Sequence, residues 1–95
     1  MSNIHDPRQF MPEGTDKAKE HREALMVARD YAAMLCSRVR SESALEHAIC
    51  ARDVASTMAF AEASDSDLGI AVAYCRNLVH ASYLAEHLAS EGFVQ

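Results

Sequence analysis

The chain has 95 residues, of which 49% are hydrophobic and 6% aromatic, and its formal net charge is −5. This length allows one compact domain, and the hydrophobic content is typical of a folded rather than a disordered chain. No stretch approaches the roughly 18 consecutive apolar residues that a membrane-spanning helix needs, so no membrane contact is expected. The acidic balance disfavours direct binding to nucleic acid, because phosphate groups repel a negative surface.

Positive charge is concentrated in one segment of this acidic chain. Residues 17–40 carry six Lys and Arg against three acidic residues, whereas the rest carries three against eleven. We interpret the basic segment as a solvated helix face that offsets an acidic remainder.

The cysteines and the N-terminal residues indicate the cellular compartment in which the protein is expected. Cys36, Cys50 and Cys75 are odd in number and widely spaced, and none belongs to a C-x-x-C pair. The first residues lack the apolar segment of a secretory signal peptide. Both observations favour a cytoplasmic protein in which cysteine acts as a small apolar residue.

Residues 1–14 contain both prolines and one of the three glycines, without hydrophobic periodicity. They predict a disordered tail ahead of a single helical domain over residues 15–95. The apolar tail residues Ile4, Phe10 and Met11 are candidates to dock on the domain or on a partner. Beyond the tail the chain is rich in alanine and poor in helix breakers, which predicts long helices and no sheet.

The first helix is expected over residues 16–40, with Thr15 or Asp16 as its N-cap. Its small and apolar residues recur with the spacing of one amphipathic stripe, and Tyr31 lies beside them. The stripe consists of Leu25, Ala28, Ala32, Leu35 and Val39.

The second helix is expected over residues 43–63, because Ser43 and Glu46 fit the S-x-x-E capping box. No Gly or Pro marks this junction, so a merger of the first two helices into one rod stays an alternative. The predicted buried stripe consists of Leu45, Ala48, Ile49, Ala55, Ala59 and Phe60. Alanines spaced four apart also predict close helix packing, although the high helix propensity of alanine explains them equally well. These ladders are Ala51, Ala55, Ala59 and Ala63, and then Ala81, Ala85 and Ala89.

A third helix is expected over residues 67–90, since four consecutive N-cap residues, 64–67, precede it. Gly92 falls where a C′ glycine belongs. The chain therefore predicts an all-α fold of three long antiparallel helices in a small bundle.

The third helix carries two apolar faces. One consists of Leu68, Ala71, Cys75, Leu78, Ser82 and Ala85. The other has the alternating four-and-three spacing of a helix–helix seam, and it consists of Ile70, Tyr74, Asn77, Ala81, Leu84 and Leu88. Either this helix is the central element of the domain, or the second face is an interface. A small domain has little core to share, which favours an interface and a homodimer in which Asn77 sets the register.

A second candidate interaction face is polar and aromatic. Arg76, His80, Tyr83 and His87 follow one another along the third helix at spacings of four, three and four. Such a stripe suits an acidic surface or a response to pH, although a solvated face without a role also explains it. Arg52 is also included among these candidate interaction residues, because it falls in the apolar arc of the second helix. Its guanidinium must either extend to solvent or pair with a carboxylate, and such a pair could lie at an interface.

No pattern of catalytic or metal-binding chemistry stands out. The chain lacks G-x-S-x-G, H-E-x-x-H and glycine-rich phosphate loops. His47 and Cys50 are the best local ligand pair, but a zinc site would also need Cys36 or Cys75 from other helices. Tight alanine packing leaves little room for a substrate pocket. We expect no enzymatic activity, no cofactor and no bound metal.

Three alanine-rich segments, ALEHA at 44–48, ASTMA at 55–59 and LAEHL at 84–88, carry a resemblance. The chain resembles small all-helical bacterial proteins of unknown function, and short helical anti-activators of LuxR-type quorum-sensing regulators. The resemblance extends over about residues 16–90 and rests on size, alanine-rich helices and a charged start. It implies a homodimer that binds a regulator's domain and prevents its self-association or DNA binding, and it transfers no functional residue.

These observations predict a non-enzymatic protein–protein interaction module. Its most concrete form is a small cytoplasmic negative regulator that sequesters a transcription regulator, or a similar protein, by helix-face binding. One alternative is an inhibitor encoded by a mobile element that binds a defence or secretion complex through an acidic, salt-sensitive surface. The other alternative is a helical protein that binds a metal or a redox group.

Overall fold

The structure, a computed structural model, describes residues 13–92 of the chain and the side chains of residues 17–92. It contains helix α1 (Glu13–Arg38), helix α2 (Glu42–Phe60) and helix α3 (Asp65–Ser90), with no strand in this part of the chain. The predicted all-α fold of three long helices is confirmed. The predicted tail lies outside the described residues, except for Glu13 and Gly14, which already belong to α1.

The junction between α1 and α2 shows that they are separate helices, so the alternative of one continuous rod is wrong. Helix α1 ends at Arg38, and the N-cap of α2 is Ser41, whose Oγ accepts the N–H of Ala44 at 3.2 Å. The predicted capping box at Ser43 is therefore wrong by two positions. A side chain from far along the sequence explains the difference: the Glu86 carboxylate accepts the N–H groups of Arg40 and Ser41 at 2.9 and 2.8 Å.

The junction between α2 and α3 follows the prediction more closely. Ser64 is the N-cap of α3, and its Oγ accepts the N–H of Asp67 at 3.1 Å. Asp65 and Asp67 lie in the first turn, where carboxylates interact favourably with the positive end of the helix dipole. At the other end, Gly92 follows the C-cap with φ of +87°, the left-handed conformation expected of a C′ glycine.

Contacts between helices fix an up-down-up arrangement. Ser82 and Cys75 of α3 lie beside Ala44 and Ala51 of α2, in reverse order, so these two helices are antiparallel. The turn between α1 and α2 likewise makes them antiparallel, and the Arg22 guanidinium of α1 donates to carbonyls at the far end of α2. Helices α1 and α3 consequently run in the same direction. A close approach marks their N-terminal halves, where Gly69 leaves space for the His21 ring.

The buried core consists largely of small side chains. Helix α2 contributes alanine alone to it, and the larger residues of its predicted stripe lie elsewhere: Leu45 and Ile49 are partly buried, and Phe60 is 70% exposed. Alanine on the contact ridge allows short interhelical distances, so the small residues take the centre of the packed face. The buried hydrophobic residues are Leu25, Ala28, Ala32, Leu35, Ala44, Ala48, Ala51, Ala55, Ala59, Leu68, Ala71, Val72 and Cys75.

Polar groups inside the bundle are bonded to backbone. The Ser82 hydroxyl, fully buried, donates to the Ala44 carbonyl at 2.7 Å, and the Cys75 thiol donates to the Ala51 carbonyl at 3.7 Å. Burial, reinforced by the neighbouring Cys50, raises the pKa of the Cys75 thiol. Arg22 donates from Nη1 to the carbonyls of Ala59 and Ala61 at 2.9 and 2.8 Å. It thereby supplies a hydrogen-bond donor to carbonyl groups at the C-terminal end of α2, which have no partner within the helix.

Candidate interaction surfaces

The two apolar faces predicted on the third helix have different environments. The face that contains Leu68, Ala71, Cys75 and Ser82 is buried against the other helices. The second run is at the surface, and we call it the outer face of α3. It consists of Ile70, Tyr74, Asn77, Ala81, Leu84 and Leu88. In the part of the chain that the structure describes, α3 is thus buried on one side and exposed on the other.

Large apolar side chains dominate the outer face of α3. Ile70 is 65% exposed, Tyr74 50% and Leu84 49%, while Ala81 and Leu88 are partly buried at its margin. Asn77 is exposed between them. Several large exposed apolar residues on one helix face are more typical of an interaction site than single exposed apolar residues scattered over a surface.

A groove between α1 and α3 forms a second candidate surface, and we call it the α1/α3 groove. Its volume is about 520 Å³, which lies within the range of small-molecule and peptide sites. The expectation that tight packing leaves little room for a pocket is thus wrong, because two parallel helices leave a channel on the side that α2 does not cover. Its lining consists of Ala24, Val27, Ala28, Tyr31, Arg76, Val79, His80 and Tyr83.

The structure separates the residues of the predicted polar aromatic stripe. Arg76, His80 and Tyr83 line the α1/α3 groove. His87 lies beyond its end, in a shallow depression that it shares with Leu84 and Glu86 and that continues from His80 and Tyr83. Arg52 lies on α2 and lines neither surface.

Arg52 has a local partner. Its Nε donates to the Asp53 carboxylate at 3.1 Å, and its side chain is 41% exposed. The structure therefore places Arg52 at the surface in an ion pair with the next residue. Pairs of this kind contribute little to stability.

Sequence reasoning missed the α1 half of the groove. Val27 is 69% exposed and Tyr31 43%, and the two lie one turn apart beside Ala24 and Ala28. The signal was present in the sequence, since apolar residues on the first helix extend beyond the single stripe. A search for a second apolar face, as was made on the third helix, would have found Val27 and Tyr31 on the first helix.

The groove carries positive charge without a matching carboxylate. Arg76 is exposed, and no described residue forms an ion pair or hydrogen bond with it. None of the residues that line the groove is acidic. Glu86 lies outside the groove. Its carboxylate accepts hydrogen bonds from the backbone N–H groups of Ser41 and Arg40, and these bonds hold the pKa of the carboxyl below its usual range.

Groups that suggest metal or thiol chemistry are dispersed. No cluster of three or more His, Cys, Asp or Glu side chains suited to a metal ion occurs among the residues that the structure describes. His47, the predicted ligand partner of Cys50, has its Nδ1 within 2.7 Å of the Ser43 carbonyl. The three cysteines are free thiols. In the described part of the chain, no helix has the length and hydrophobicity to cross a membrane.

Comparison with protein families, with curated proteins and with solved structures finds no match to this chain. The resemblance to helical anti-activators stays a prediction from the sequence. The two surfaces on α3 are the observations on which a function can be argued.

Proposed function

We propose that this protein is a non-enzymatic interaction module that binds another protein through the outer face of α3. One observation carries the proposal: Ile70, Tyr74 and Leu84 are each about half exposed or more, on one side of a single rigid helix. Complete burial of a large apolar side chain is worth roughly 1.5–3 kcal/mol. Three such residues on a preformed helix supply a helix-face interface without a folding step.

The more specific form of the proposal is a cytoplasmic homodimer that acts as a negative regulator. The seam spacing of the outer face, with Asn77 near its middle, supports self-association of the free protein, and the partner then competes with the second copy for this face. The resemblance to short helical anti-activators supports a partner that is a transcription regulator, held away from DNA or from its own dimer. The basic residues on α1 would then set orientation and the rate of association more than affinity.

The test compares two single substitutions at exposed positions. Leu84→Glu places a charge on the outer face, and Ala33→Glu places the same charge on α1, at a position that is exposed and lines neither surface. Light scattering after size exclusion should show a dimer for the wild type and for Ala33→Glu, and a monomer for Leu84→Glu. Circular dichroism should show equal helix content for all three.

The function itself is tested by what the protein recovers from its native cytoplasm. We expect a transcription regulator in the wild-type and Ala33→Glu samples, absent from the Leu84→Glu sample, with loss of DNA binding by that regulator on addition of the protein. The same proteins recovered by Leu84→Glu would contradict the proposal. Binding that weakens steeply with salt would favour the acidic-surface inhibitor instead.

A further inference from the structure

We propose that the α1/α3 groove receives a helix from a partner protein, and that this helix carries a carboxylate beside its apolar face to pair with Arg76. The inference rests on the proposed function, an interaction module, and names the chemistry of the partner at a second surface. It concerns residues of α1 and α3 that the outer face does not include.

The shape of the groove suits a helix. Its walls are two parallel helices, and its α1 lining includes the small side chains of Ala24 and Ala28. Small residues at a contact let a helix approach to the short end of the usual 8–10 Å interaxial range. A helix in this position would complete a four-helix bundle on the side of the domain that α2 leaves open.

Three residues of the groove, Tyr31, Arg76 and Tyr83, are of the types that contribute most to protein interfaces. Tyr31 and Tyr83 rise on opposite walls and are 43% and 63% exposed, and Arg76 lies along the same α3 wall. Tyrosine and arginine are enriched among the residues whose removal costs an interface most, while lysine and acidic residues are depleted from interface centres. Lysine and acidic residues are absent from the lining.

Charge decides what the partner must carry. Arg76 has no counter-ion among the described residues, and the lining offers no carboxylate. A guanidinium covered by a purely apolar helix would be desolvated without compensation, which is strongly unfavourable. A carboxylate on the incoming helix removes that cost and adds a charge-assisted hydrogen bond.

The same charge argues against a second copy of this chain in the groove. Two copies placed groove to groove would bring two unpaired arginines towards one interface, with no acidic residue in either lining. The chain's own N-terminal segment, residues 1–12, has one acidic residue, Asp6, close to Arg8. A copy placed groove to groove offers no carboxylate, and the one carboxylate of the N-terminal segment is offset by Arg8, so a partner helix with an acidic flank fits the groove better.

The experiment uses the full-length protein and two synthetic amphipathic helices of about three heptads, with Leu at a and d positions. One peptide has Glu at e and g, and the other has Lys. Fluorescence anisotropy should show that the Glu peptide binds and the Lys peptide does not. Arg76→Glu should weaken binding of the Glu peptide about tenfold or more, and should allow the Lys peptide to bind.

The matched control is Arg52→Glu, which makes the same charge change on a helix surface outside the groove. It should change the affinity by less than about twofold, since distant surface charges are screened. Ile70→Glu, which places a charge on the outer face away from the groove and the depression beside it, should also retain the Glu peptide. Failure of the outer-face proposal is therefore distinguishable from failure of this one.

Four results would overturn the inference. They are no binding of the Glu peptide, equal binding of both peptides, an equal loss with Arg52→Glu, and evidence of another occupant. A dimer that dissociates in Val27→Glu but not in Ala33→Glu would show that a second copy fills the groove. A severalfold gain in peptide affinity for Phe10→Ser would show that the chain's own N-terminal segment fills it.

Discussion

Glu86 shows how one residue can determine where a helix begins. Ser41, Glu42 and Ser43 are all suited to a helix N-terminus, and local preference does not choose between them. The Glu86 carboxylate accepts two backbone N–H groups of that turn, from Ser41 and Arg40. These bonds hold the turn against the C-terminal part of α3 and leave Ser41 as the N-cap.

The contribution of Glu86 to stability should depend on pH. Because the folded state lowers the pKa of this carboxyl, its stabilising effect is fully present above the ordinary glutamate pKa of about 4.3. The effect is lost as the pH falls through the lower folded-state value. We expect Glu86→Gln to be less stable than the wild type at pH 7, with the difference shrinking as the pH falls below about 4.

The predicted pH dependence of the difference between Glu86→Gln and the wild type is checked by thermal unfolding, followed by circular dichroism at several pH values. Glu23→Gln is the control, because Glu23 is exposed on α1 and has no bonded partner among the described residues. Its melting temperature should follow that of the wild type at every pH. A constant offset for Glu86→Gln down to pH 3 would mean that the carboxylate charge does not hold the junction.

At the scale of elements, α2 is the helix whose orientation the sequence predicted least well. The predicted ladder of Ala51, Ala55 and Ala59 did mark the buried side, but alanine is also the best helix former, so such a ladder alone does not outweigh larger apolar residues in choosing the packed face. The larger residues Leu45, Ile49 and Phe60 drew the predicted stripe away from the observed one. On α1 and α3, buried leucines such as Leu25 and Leu68 mark the packed side, and the predicted stripes there are largely confirmed.

The alanine face of α2 should tolerate little added volume. Ala51 is fully buried between α2 and α3, beside the Cys75 thiol. We expect Ala51→Leu to lower the free energy of unfolding by about 1–3 kcal/mol, since extra methylenes in a packed core force side chains or helices apart. Urea denaturation gives the value directly.

Ala33→Leu is the matched control, because Ala33 is an exposed alanine within α1. The same substitution there should change the free energy of unfolding by no more than about 0.5 kcal/mol. Equal effects at the two positions would mean that α2 does not pack through its alanines. The core would then have room that the structure does not show.

At the scale of the whole molecule, the prediction of three helices required only local patterns, whereas the groove required their arrangement. Val27 and Tyr31 are separated from Arg76 and Tyr83 by about half of the chain. They share a surface because α1 and α3 run in the same direction beside one another. The parallel pair follows from two turns and from long-range contacts such as that of Glu86, which periodicity does not encode.

The cysteines provide a test of whether the three helices unfold as one unit. Cys75 is fully buried between α2 and α3, whereas Cys36 and Cys50 are only partly buried. The thiolate is the form that reacts with alkylating agents, and burial raises the pKa of Cys75. Cys75 should therefore react with iodoacetamide only after the bundle opens, while the other two react in the native state.

Mass spectrometry of protease fragments separates the three sites. If the bundle unfolds cooperatively, the free energy obtained from Cys75 labelling should equal that from urea denaturation. Ala51→Leu should then accelerate Cys75 labelling by roughly 5- to 150-fold, the factor that corresponds to a loss of about 1–3 kcal/mol. Labelling of Cys36 should change much less. Cys75 labelling as fast as that of Cys50 would instead show that α3 separates from α2 without global unfolding, and the outer face of α3 would not be the rigid surface proposed here.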